Sequence, residues 1–282
     1  MSMRRIRLLL ADVDGTLLTD DKVLTAAAAE AARDLRDAGI AFAITSSRPP
    51  RGMRMLFEPL ALDNVTAGLN GGLCVNPDLS VVQCHTLDPA TARRAVNLIL
   101  RQGLDAWVYT DREEWLVRDA TAPHVERERW ILQFDATIVE TFSVAHLAQA
   151  VKIVGVSDDF DLVAASEKIA QKALGEQASV ARSQTYYLDV TSPQANKGAV
   201  VTTLSESLKI SPDEIATIGD MQNDVLMFRK SGLSIAMGNA TDDVKAKARL
   251  VTDCNENDGF AKAVREFILP SAGGGSVAGL PS

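Results

Sequence analysis

Asp12 and Asp14 stand at the end of an apolar run at residues 6–13 and are followed by Gly15. Residues two apart in extended backbone point the same way, so both carboxylates can face one small site. Such a pair can supply a nucleophile together with an acid and base. By itself, the pair fits a solvated, capped turn equally well.

A second acidic pair, Asp220 and Asp224, lies in a polar segment at residues 219–224. The spacing of four places both carboxylates on one side of a helix start. Mg²⁺ prefers oxygen ligands and keeps several waters, which suits a few carboxylates together with a phosphate. The segment therefore predicts a magnesium site, with a helix-capping loop as the alternative.

Thr45, Arg48 and Lys197 are further polar residues at the ends of predicted elements. Thr45 ends a strand, Arg48 precedes a predicted helix, and Lys197 opens a helix predicted for residues 197–208. Backbone and hydroxyl donors at such places can hold an anion. Taken singly, the three residues are better explained as an ordinary N-cap, a surface arginine and a solvated lysine.

The elements that carry these residues follow a strand, helix, strand pattern. Residues 6–13 predict a buried parallel strand, residues 25–38 a helix with a threonine N-cap and a glycine stop, and residues 40–44 a second strand. The pattern returns in strands predicted at 215–218 and 233–237. It indicates an α/β fold with a doubly wound parallel sheet, in which ligands bind beyond the carboxyl ends of the strands.

Residues 83–189 interrupt this pattern and are predicted to form an inserted α+β domain. The core is then made of residues 1–82 and 190–270, and the Gly-, Ser- and Ala-rich residues 271–282 are predicted to be a flexible tail. The predicted elements of the insertion are two sets of a helix and a hairpin, at residues 89–102 and 104–119, and at 160–174 and 179–190.

Composition narrows the classes of partner. The chain has 282 residues, 46% of them hydrophobic, and a formal net charge of −8, so a globular protein without a nucleic-acid partner is expected. Cys74, Cys84 and Cys254 show no metal-binding spacing, which favours reduced thiols in the cytoplasm. No segment is long enough for a membrane span. The oligomeric state stays open between monomer and dimer.

Four segments together resemble the haloacid dehalogenase (HAD) superfamily, in particular its Cof-like sugar-phosphatase branch with a C2-type cap inserted into the core. The resemblance covers nearly the whole chain, and the order of the segments is more specific than any one of them. The matching segments are Asp12-x-Asp14-Gly15-Thr16, the strand-end Thr45, Lys197 between Asn196 and Gly198, and Gly219-Asp220-x-x-Asn223-Asp224.

The resemblance implies catalytic roles for four residues. Asp12 is expected to be the nucleophile and Asp14 the general acid and base, while Thr45 and Lys197 hold oxygens of the phosphate. A carboxylate that attacks a phosphate dianion is repelled by roughly 8 kcal/mol at about 4 Å for an effective dielectric constant of about 20. Mg²⁺ and Lys197 are expected to offset this repulsion.

The resemblance also implies a set of metal and substrate contacts. Asp12, Asp220 and the backbone carbonyl of Asp14 are expected to bind Mg²⁺, and Asp224 to act mostly through metal-bound water. Four further residues are expected near the substrate: Arg48, Asn70, Gly71 and Asn223.

The predicted reaction is the hydrolysis of a phosphomonoester through a phospho-aspartate intermediate. The substrate is a small phosphorylated metabolite, by resemblance a sugar phosphate, and the inserted domain is expected to close over the cleft and select it. A phosphomutase and a non-catalytic sensor of phosphorylated metabolites are the alternatives. A dehalogenase is disfavoured because halide needs no proton from Asp14.

Overall fold

The computed structural model describes residues 5–272. Strands and helices alternate through both terminal parts of this range. The strands, in chain order, are β1 (Leu8–Asp12), β2 (Ala41–Thr45), β3 (Thr66–Gly68), β4 (Leu73–Val75), β5 (Val81–Cys84), β6 (Asp105–Thr110), β7 (Trp115–Val117), β8 (Thr137–Ile138), β9 (Ala150–Val156), β10 (Ser179–Gln184), β11 (Tyr187–Thr191), β12 (Ile215–Gly219), β13 (Leu233–Ala236) and β14 (Leu250–Val251).

The α-helices vary from one turn to four. They are α1 (Ala26–Asp37), α2 (Pro89–Arg101), α3 (Val125–Leu132), α4 (Val144–Ala148), α5 (Phe160–Leu174), α6 (Lys197–Leu208), α7 (Val225–Phe228), α8 (Asp242–Lys245), α9 (Gly259–Ala263) and α10 (Leu269–Ala272). Tighter 3₁₀ turns include Pro50–Leu56, Leu69–Gly71 and Gln222–Asp224. None of the helices within residues 5–272 is long and apolar enough to cross a membrane.

The described residues form two compact units. The first unit contains the chain up to Ser46, the segment Met55–Thr66 and the chain from Lys197 onward, and the second contains Ser47–Arg54 and Ala67–Asn196. The predicted insertion at 83–189 lies wholly inside the second unit, and its bounds stay a prediction. Of the predicted tail, Ser271 and Ala272 belong to α10, and residues 273–282 lie outside the described residues.

The first unit contains the predicted parallel sheet, which confirms the α/β fold class. Strands β14, β13, β12, β1 and β2 lie side by side in that order, and each neighbouring pair is parallel. Every residue of β1 is buried, as expected for a strand covered on both faces. Thr25 caps α1 by accepting a hydrogen bond from the backbone N–H of Ala28, as its position in the sequence predicts.

The register of this sheet brings three strand ends together. Asp12 is paired with Thr45, the last residue of β2, and Ala11 with Ile218 near the end of β12. Asp220 follows β12 directly. The carboxyl edge of the sheet is therefore where the predicted catalytic residues of the first unit gather.

The second unit contains an antiparallel sheet with one parallel pair. Its order is β10, β11, β9, β6, β7 and β8, in which only β7 and β8 run parallel among the pairs within the described residues. The predicted hairpins β6–β7 and β10–β11 are confirmed. No strand was predicted at β9, which lies between them: all seven of its residues are buried, but Lys152 interrupts its apolar run.

The two faces of this sheet are covered differently. One face packs on α2 and α5 through small and aliphatic side chains. The other carries aromatic residues, among them Trp107, Tyr109 and Trp115, and packs on α3. These aromatic residues are buried and cover this face of the sheet.

Candidate active site

Three carboxylates meet at the carboxyl edge of the parallel sheet. Asp12, Asp220 and Asp224 are buried, and each offers an oxygen that lies within 4.8 Å of those of the other two. Asp12 ends β1, whereas Asp220 and Asp224 belong to the loop after β12. We call these three residues the acid cluster.

Lys197 is the cation within the acid cluster. It is the first residue of α6 and only 2% exposed. Its Nζ donates hydrogen bonds to Asp12 Oδ1 at 2.5 Å and to Asp224 Oδ1 at 2.6 Å. A lysine that the sequence alone would leave in solvent is therefore buried between two of the acids.

Asp224 is fixed from both ends of its carboxylate. While Oδ1 accepts from Lys197, Oδ2 accepts from the backbone N–H groups of Asp220 at 2.9 Å and Met221 at 2.8 Å. Gly219 makes this arrangement possible, because a Cβ there would collide with the Asp224 carboxylate. Asp224 thus holds both Lys197 and the start of the loop that carries Asp220.

Burial and mutual repulsion shift the pKa values of the acid cluster. Burial raises the pKa of Asp12, Lys197 opposes the rise, and the charge of Asp224 adds to it. Burial also raises the pKa of Asp220 well above its ordinary value, with the charges of Asp12 and Asp224 adding to the effect. Burial alone would lower the pKa of Lys197, but Asp12 and Asp224 raise it, so the lysine stays charged.

The donor set fits a divalent cation. The acid cluster has three formal negative charges against the single positive charge of Lys197, and all of its potential ligand atoms are oxygens. Uncompensated buried carboxylates are costly, and hard cations such as Mg²⁺ are bound by oxygen ligands. A divalent cation would therefore balance the negative charge that Lys197 leaves uncompensated.

Gly15 and Asn239 shape the loops on either side of Asp220. Gly15 has φ +79°, and a Cβ there would lie 2.5 Å from Asp220 Oδ2. Asn239 Nδ2 donates to the carbonyl oxygen of Gly15 at 2.9 Å and to Asp220 Oδ2 at 3.3 Å. Asn239 was not among the predicted site residues, although it too lies beyond the carboxyl end of a parallel strand, β13.

The Asp14 carboxylate forms an ion pair with Lys22, which was not among the predicted site residues. Lys22 Nζ lies 2.9 Å from Asp14 Oδ1. No spacing rule indicates this contact, because a lysine next to Asp20 and Asp21 in a polar loop is typical of solvated surface.

Thr45 carries a buried hydroxyl at the end of β2. The residue is 0% exposed, and its Oγ1 has no hydrogen-bond partner among the described residues. An unsatisfied buried hydroxyl costs about 1–3 kcal/mol, so such groups are commonly satisfied by a ligand or water. Thr45 is therefore positioned to donate to an anion at the carboxyl edge of the sheet.

The predicted substrate-contacting residues are divided between the two units. Asn223 belongs to the first unit and is buried in the turn Gln222–Asp224. Arg48, Asn70 and Gly71 belong to the second unit and are buried there. Their predicted contacts with substrate stay predictions.

Arg48 and Asn70 have defined surroundings within the second unit. Arg48 donates through Nη1 to the carbonyl oxygens of Gly52 and Ile131, at 3.4 Å and 3.3 Å. Asn70 has φ 59°, and its Nδ2 donates to Asp189 Oδ2 at 2.6 Å. Both side chains are therefore anchored by neighbours in their own unit.

Comparison with known proteins gives one family match. The family model for haloacid dehalogenase-like hydrolases matches residues 9–264. These residues include every strand described above except for Leu8, the first residue of β1.

Two curated relatives are named as phosphatases of phosphorylated small molecules. The chain is 26% identical over 273 residues to the 5-amino-6-(5-phospho-D-ribitylamino)uracil phosphatase of Bacillus subtilis, covering 95% of this chain and 100% of the relative. It is also 26% identical over 273 residues to the pyridoxal phosphate phosphatase of Escherichia coli, covering 93% and 99%. A solved haloacid dehalogenase-like hydrolase from B. subtilis has the same fold, with a TM-score of 0.82, 22% identity, and coverage of 93% of this chain and 100% of that one.

Proposed function

The chain belongs to the haloacid dehalogenase-like hydrolases, and we propose that it is a magnesium-dependent phosphatase that passes the phosphoryl group of a small metabolite through Asp12 to water. The observation that carries the proposal is the acid cluster with Lys197 bound into it. A carboxylate at a strand end, a buried ammonium group and spare negative charge together provide a nucleophile, a charge partner and a cation site.

Asp12 is the nucleophile in this proposal. Its carboxylate attacks the phosphorus atom, the bond from phosphorus to the leaving oxygen breaks, and a phospho-aspartate is formed. Lys197, which donates to Asp12 Oδ1, reduces the repulsion between the attacking carboxylate and the phosphate oxygens. Thr45, paired with Asp12 in the sheet, donates its unsatisfied hydroxyl to a phosphate oxygen.

Asp14 is the general acid and base. It gives its proton to the leaving oxygen, because an alkoxide is a poor leaving group, and later takes a proton from the water that attacks the phospho-aspartate. Its position two residues after Asp12 places the two carboxyl groups at the same strand end. One carboxyl group therefore forms the covalent bond and the other moves the protons.

Asp12 and Asp220 would hold the magnesium ion, together with the backbone carbonyl of Asp14. Asp224 would act mostly through water bound to the metal, since both of its oxygens already accept hydrogen bonds from Lys197 and the backbone. When bound, Mg²⁺ supplies positive charge that offsets the charge of the phosphoryl group during transfer.

The names of the relatives support a substrate class. One is a 5-amino-6-(5-phospho-D-ribitylamino)uracil phosphatase and the other a pyridoxal phosphate phosphatase. We propose a sugar phosphate or a similar small phosphomonoester as the substrate. We also propose that the protein works in the cytoplasm, in line with Cys74, Cys84 and Cys254, which are all free thiols.

Release of inorganic phosphate tests this proposal. Wild type, Asp12→Asn and the control Asp253→Asn, an acid outside the acid cluster, are assayed with p-nitrophenyl phosphate and a panel of phosphorylated metabolites, with Mg²⁺ or with EDTA. We expect wild type and Asp253→Asn to release phosphate only with the metal, and Asp12→Asn to release none. Activity in Asp12→Asn, or none in wild type across the panel, would contradict the proposal, and isomerised ester without free phosphate would indicate a mutase.

A further inference from the structure

The ion pair between Lys22 and Asp14 differs from the surface ion pairs of the first unit. Lys22 Nζ is 2.9 Å from Asp14 Oδ1, and the two side chains are only 15% and 11% exposed. By contrast, Lys262 and Asp253 form a pair whose side chains are 46% and 42% exposed. The Lys22–Asp14 pair is therefore largely shielded from the solvent that weakens surface pairs.

Backbone hydrogen bonds close the turn that carries Lys22. Thr19 and Val23 close it, with the Thr19 N–H donating to the Val23 carbonyl at 3.1 Å and the Lys22 N–H to the Thr19 carbonyl at 2.9 Å. Isolated bridges pair Leu18 with both Asp14 and Leu24, which fold the segment back on the end of β1. Lys22 is thereby brought to a residue eight positions earlier in the chain.

The local conformation runs against ordinary preferences. Lys22 has φ 62°, a left-handed conformation that residues other than glycine seldom adopt. The lysine side chain is turned inward, while its neighbour Val23 is 55% exposed. The hydrophobic effect alone would bury Val23 and expose Lys22. The contact between Lys22 and Asp14 offsets the cost of the observed arrangement.

We propose that Lys22 is a positioning residue that holds the Asp14 carboxyl group in the orientation needed for proton transfer to the leaving oxygen. The inference rests on the phosphatase function proposed above. Lys22 donates to Oδ1, and Oδ2 carries the proton. A neutral carboxyl group keeps an accepting oxygen, so the Lys22 contact persists in both protonation states of Asp14.

The chemical step that depends on this orientation is the first transfer. The bond between Asp12 and phosphorus forms, the bond between phosphorus and the leaving oxygen breaks with its electron pair on that oxygen, and the oxygen takes the proton from Asp14. In the second step, Asp14 takes a proton from water as the oxygen of that water bonds to phosphorus and the bond to Asp12 breaks. Lys22 forms no covalent bond and transfers no proton in either step.

The leaving group gives a direct test of this role. A p-nitrophenolate leaves without protonation, whereas the alkoxide of glycerol phosphate requires a proton from Asp14. For Lys22→Met we expect kcat/KM to fall about 100-fold with glycerol phosphate, near the lower end of what general acid catalysis contributes, and less than about threefold with p-nitrophenyl phosphate. Lys22→Arg is expected to recover part of the loss, and Lys262→Met to change neither substrate.

Asp14→Asn supplies the matched reference. It should show the same discrimination between the two substrates, and Lys22→Met added to it should cause no further loss, because both changes act on one group. Equal losses of Lys22→Met on both substrates, no loss, or additive losses in the double variant would overturn the proposal. If Lys22→Met fails to fold, Lys22→Gln is compared in the same way.

The wild-type rates separate this proposal from the function beneath it. Wild type that releases phosphate from neither of these substrates nor from any member of the metabolite panel contradicts the phosphatase function and the role of Lys22 with it. Active wild type, together with a Lys22→Met variant that keeps the wild-type ratio between the substrates, contradicts the role of Lys22 alone.

Discussion

The two units bury charge in opposite ways. In the first unit, the acid cluster sets three carboxylates against Lys197 alone. In the second, a buried network sets two acids, Glu128 and Asp189, against two bases, Lys152 and Arg48. One region carries excess negative charge and the other is formally neutral.

The neutral network of the second unit is linked by side-chain and backbone contacts. Lys152 Nζ donates to the Ser47 carbonyl at 2.7 Å and lies 3.5 Å from Asp189 Oδ2. The hydroxyls of Tyr109 and Tyr187 donate to the two oxygens of Glu128, at 2.8 Å and 3.0 Å. These contacts tie α3 and three strands of the sheet together, which indicates a structural role.

The difference separates two reasons for burying a charge. A balanced network can be retained because it orders the elements around it, and removal of one partner leaves the other buried and unpaired. An unbalanced cluster lowers the stability of the metal-free protein, and this loss is offset only when a cation or substrate binds. Excess buried charge, rather than buried charge as such, distinguishes the candidate active site from the network of the second unit.

The largest expected effect is on the balanced network. Lys152→Met should lower the free energy of unfolding by about 3–5 kcal/mol, since it leaves Asp189 buried without its cation. Lys262→Met, which removes a lysine from an exposed pair, is the matched control and should leave it unchanged within error. Urea unfolding measures both. Equal losses in the two variants would show that the buried network contributes no more than a surface pair.

A smaller effect is expected from the metal. Mg²⁺ at about 100 times its dissociation constant should stabilise wild type by about 2.7 kcal/mol. Asp220→Asn should lose this stabilisation by Mg²⁺, because it removes one of the proposed metal ligands from the acid cluster. Asp189→Asn should keep the stabilisation, although the variant itself is less stable than wild type. Unfolding with and without Mg²⁺ measures the gain. A gain retained in Asp220→Asn would place the cation elsewhere.

The smallest effect concerns pH in the absence of metal. Burial and the charges of Asp12 and Asp224 raise the pKa of Asp220 above its ordinary value of 3.8, so the folded protein binds this proton more tightly than the unfolded chain. Stability from this group is present below pH 3.8 and is lost as the pH rises through the raised pKa. Wild type in EDTA should therefore lose stability relative to Asp220→Asn as the pH rises toward neutrality. If the difference in stability between wild type and Asp220→Asn did not change with pH, the pKa of Asp220 would not be raised in the folded protein.

Much of the first unit could be predicted because its signals are local. The apolar run of β1, the N-cap of α1 and the polar residues at the ends of strands are all read from short windows of sequence. Parallel strands bring their carboxyl ends to one edge of the sheet, and the resemblance to the haloacid dehalogenase superfamily is what assigned Asp12 and Asp220 to one metal site.

The parts that could not be predicted depend on contacts without a local pattern. The Lys22–Asp14 pair requires a turn with a left-handed lysine, which no propensity favours. The predicted bounds of the inserted domain, at residues 83 and 189, lie within strands β5 and β11, and they stay a prediction. The balanced network joins residues far apart in the sequence, and its members look like ordinary surface residues when read singly.

The central claim is that Asp12 forms a covalent bond to the phosphoryl group. Single-turnover reactions with excess enzyme and Mg²⁺ can be stopped with acid and treated with borohydride, which reduces an aspartyl phosphate to homoserine. Peptide mass spectrometry then locates the modified residue. We predict homoserine at position 12 in wild type and none in Asp12→Asn. Phosphate release without homoserine at position 12, or with homoserine at another aspartate, would contradict the account.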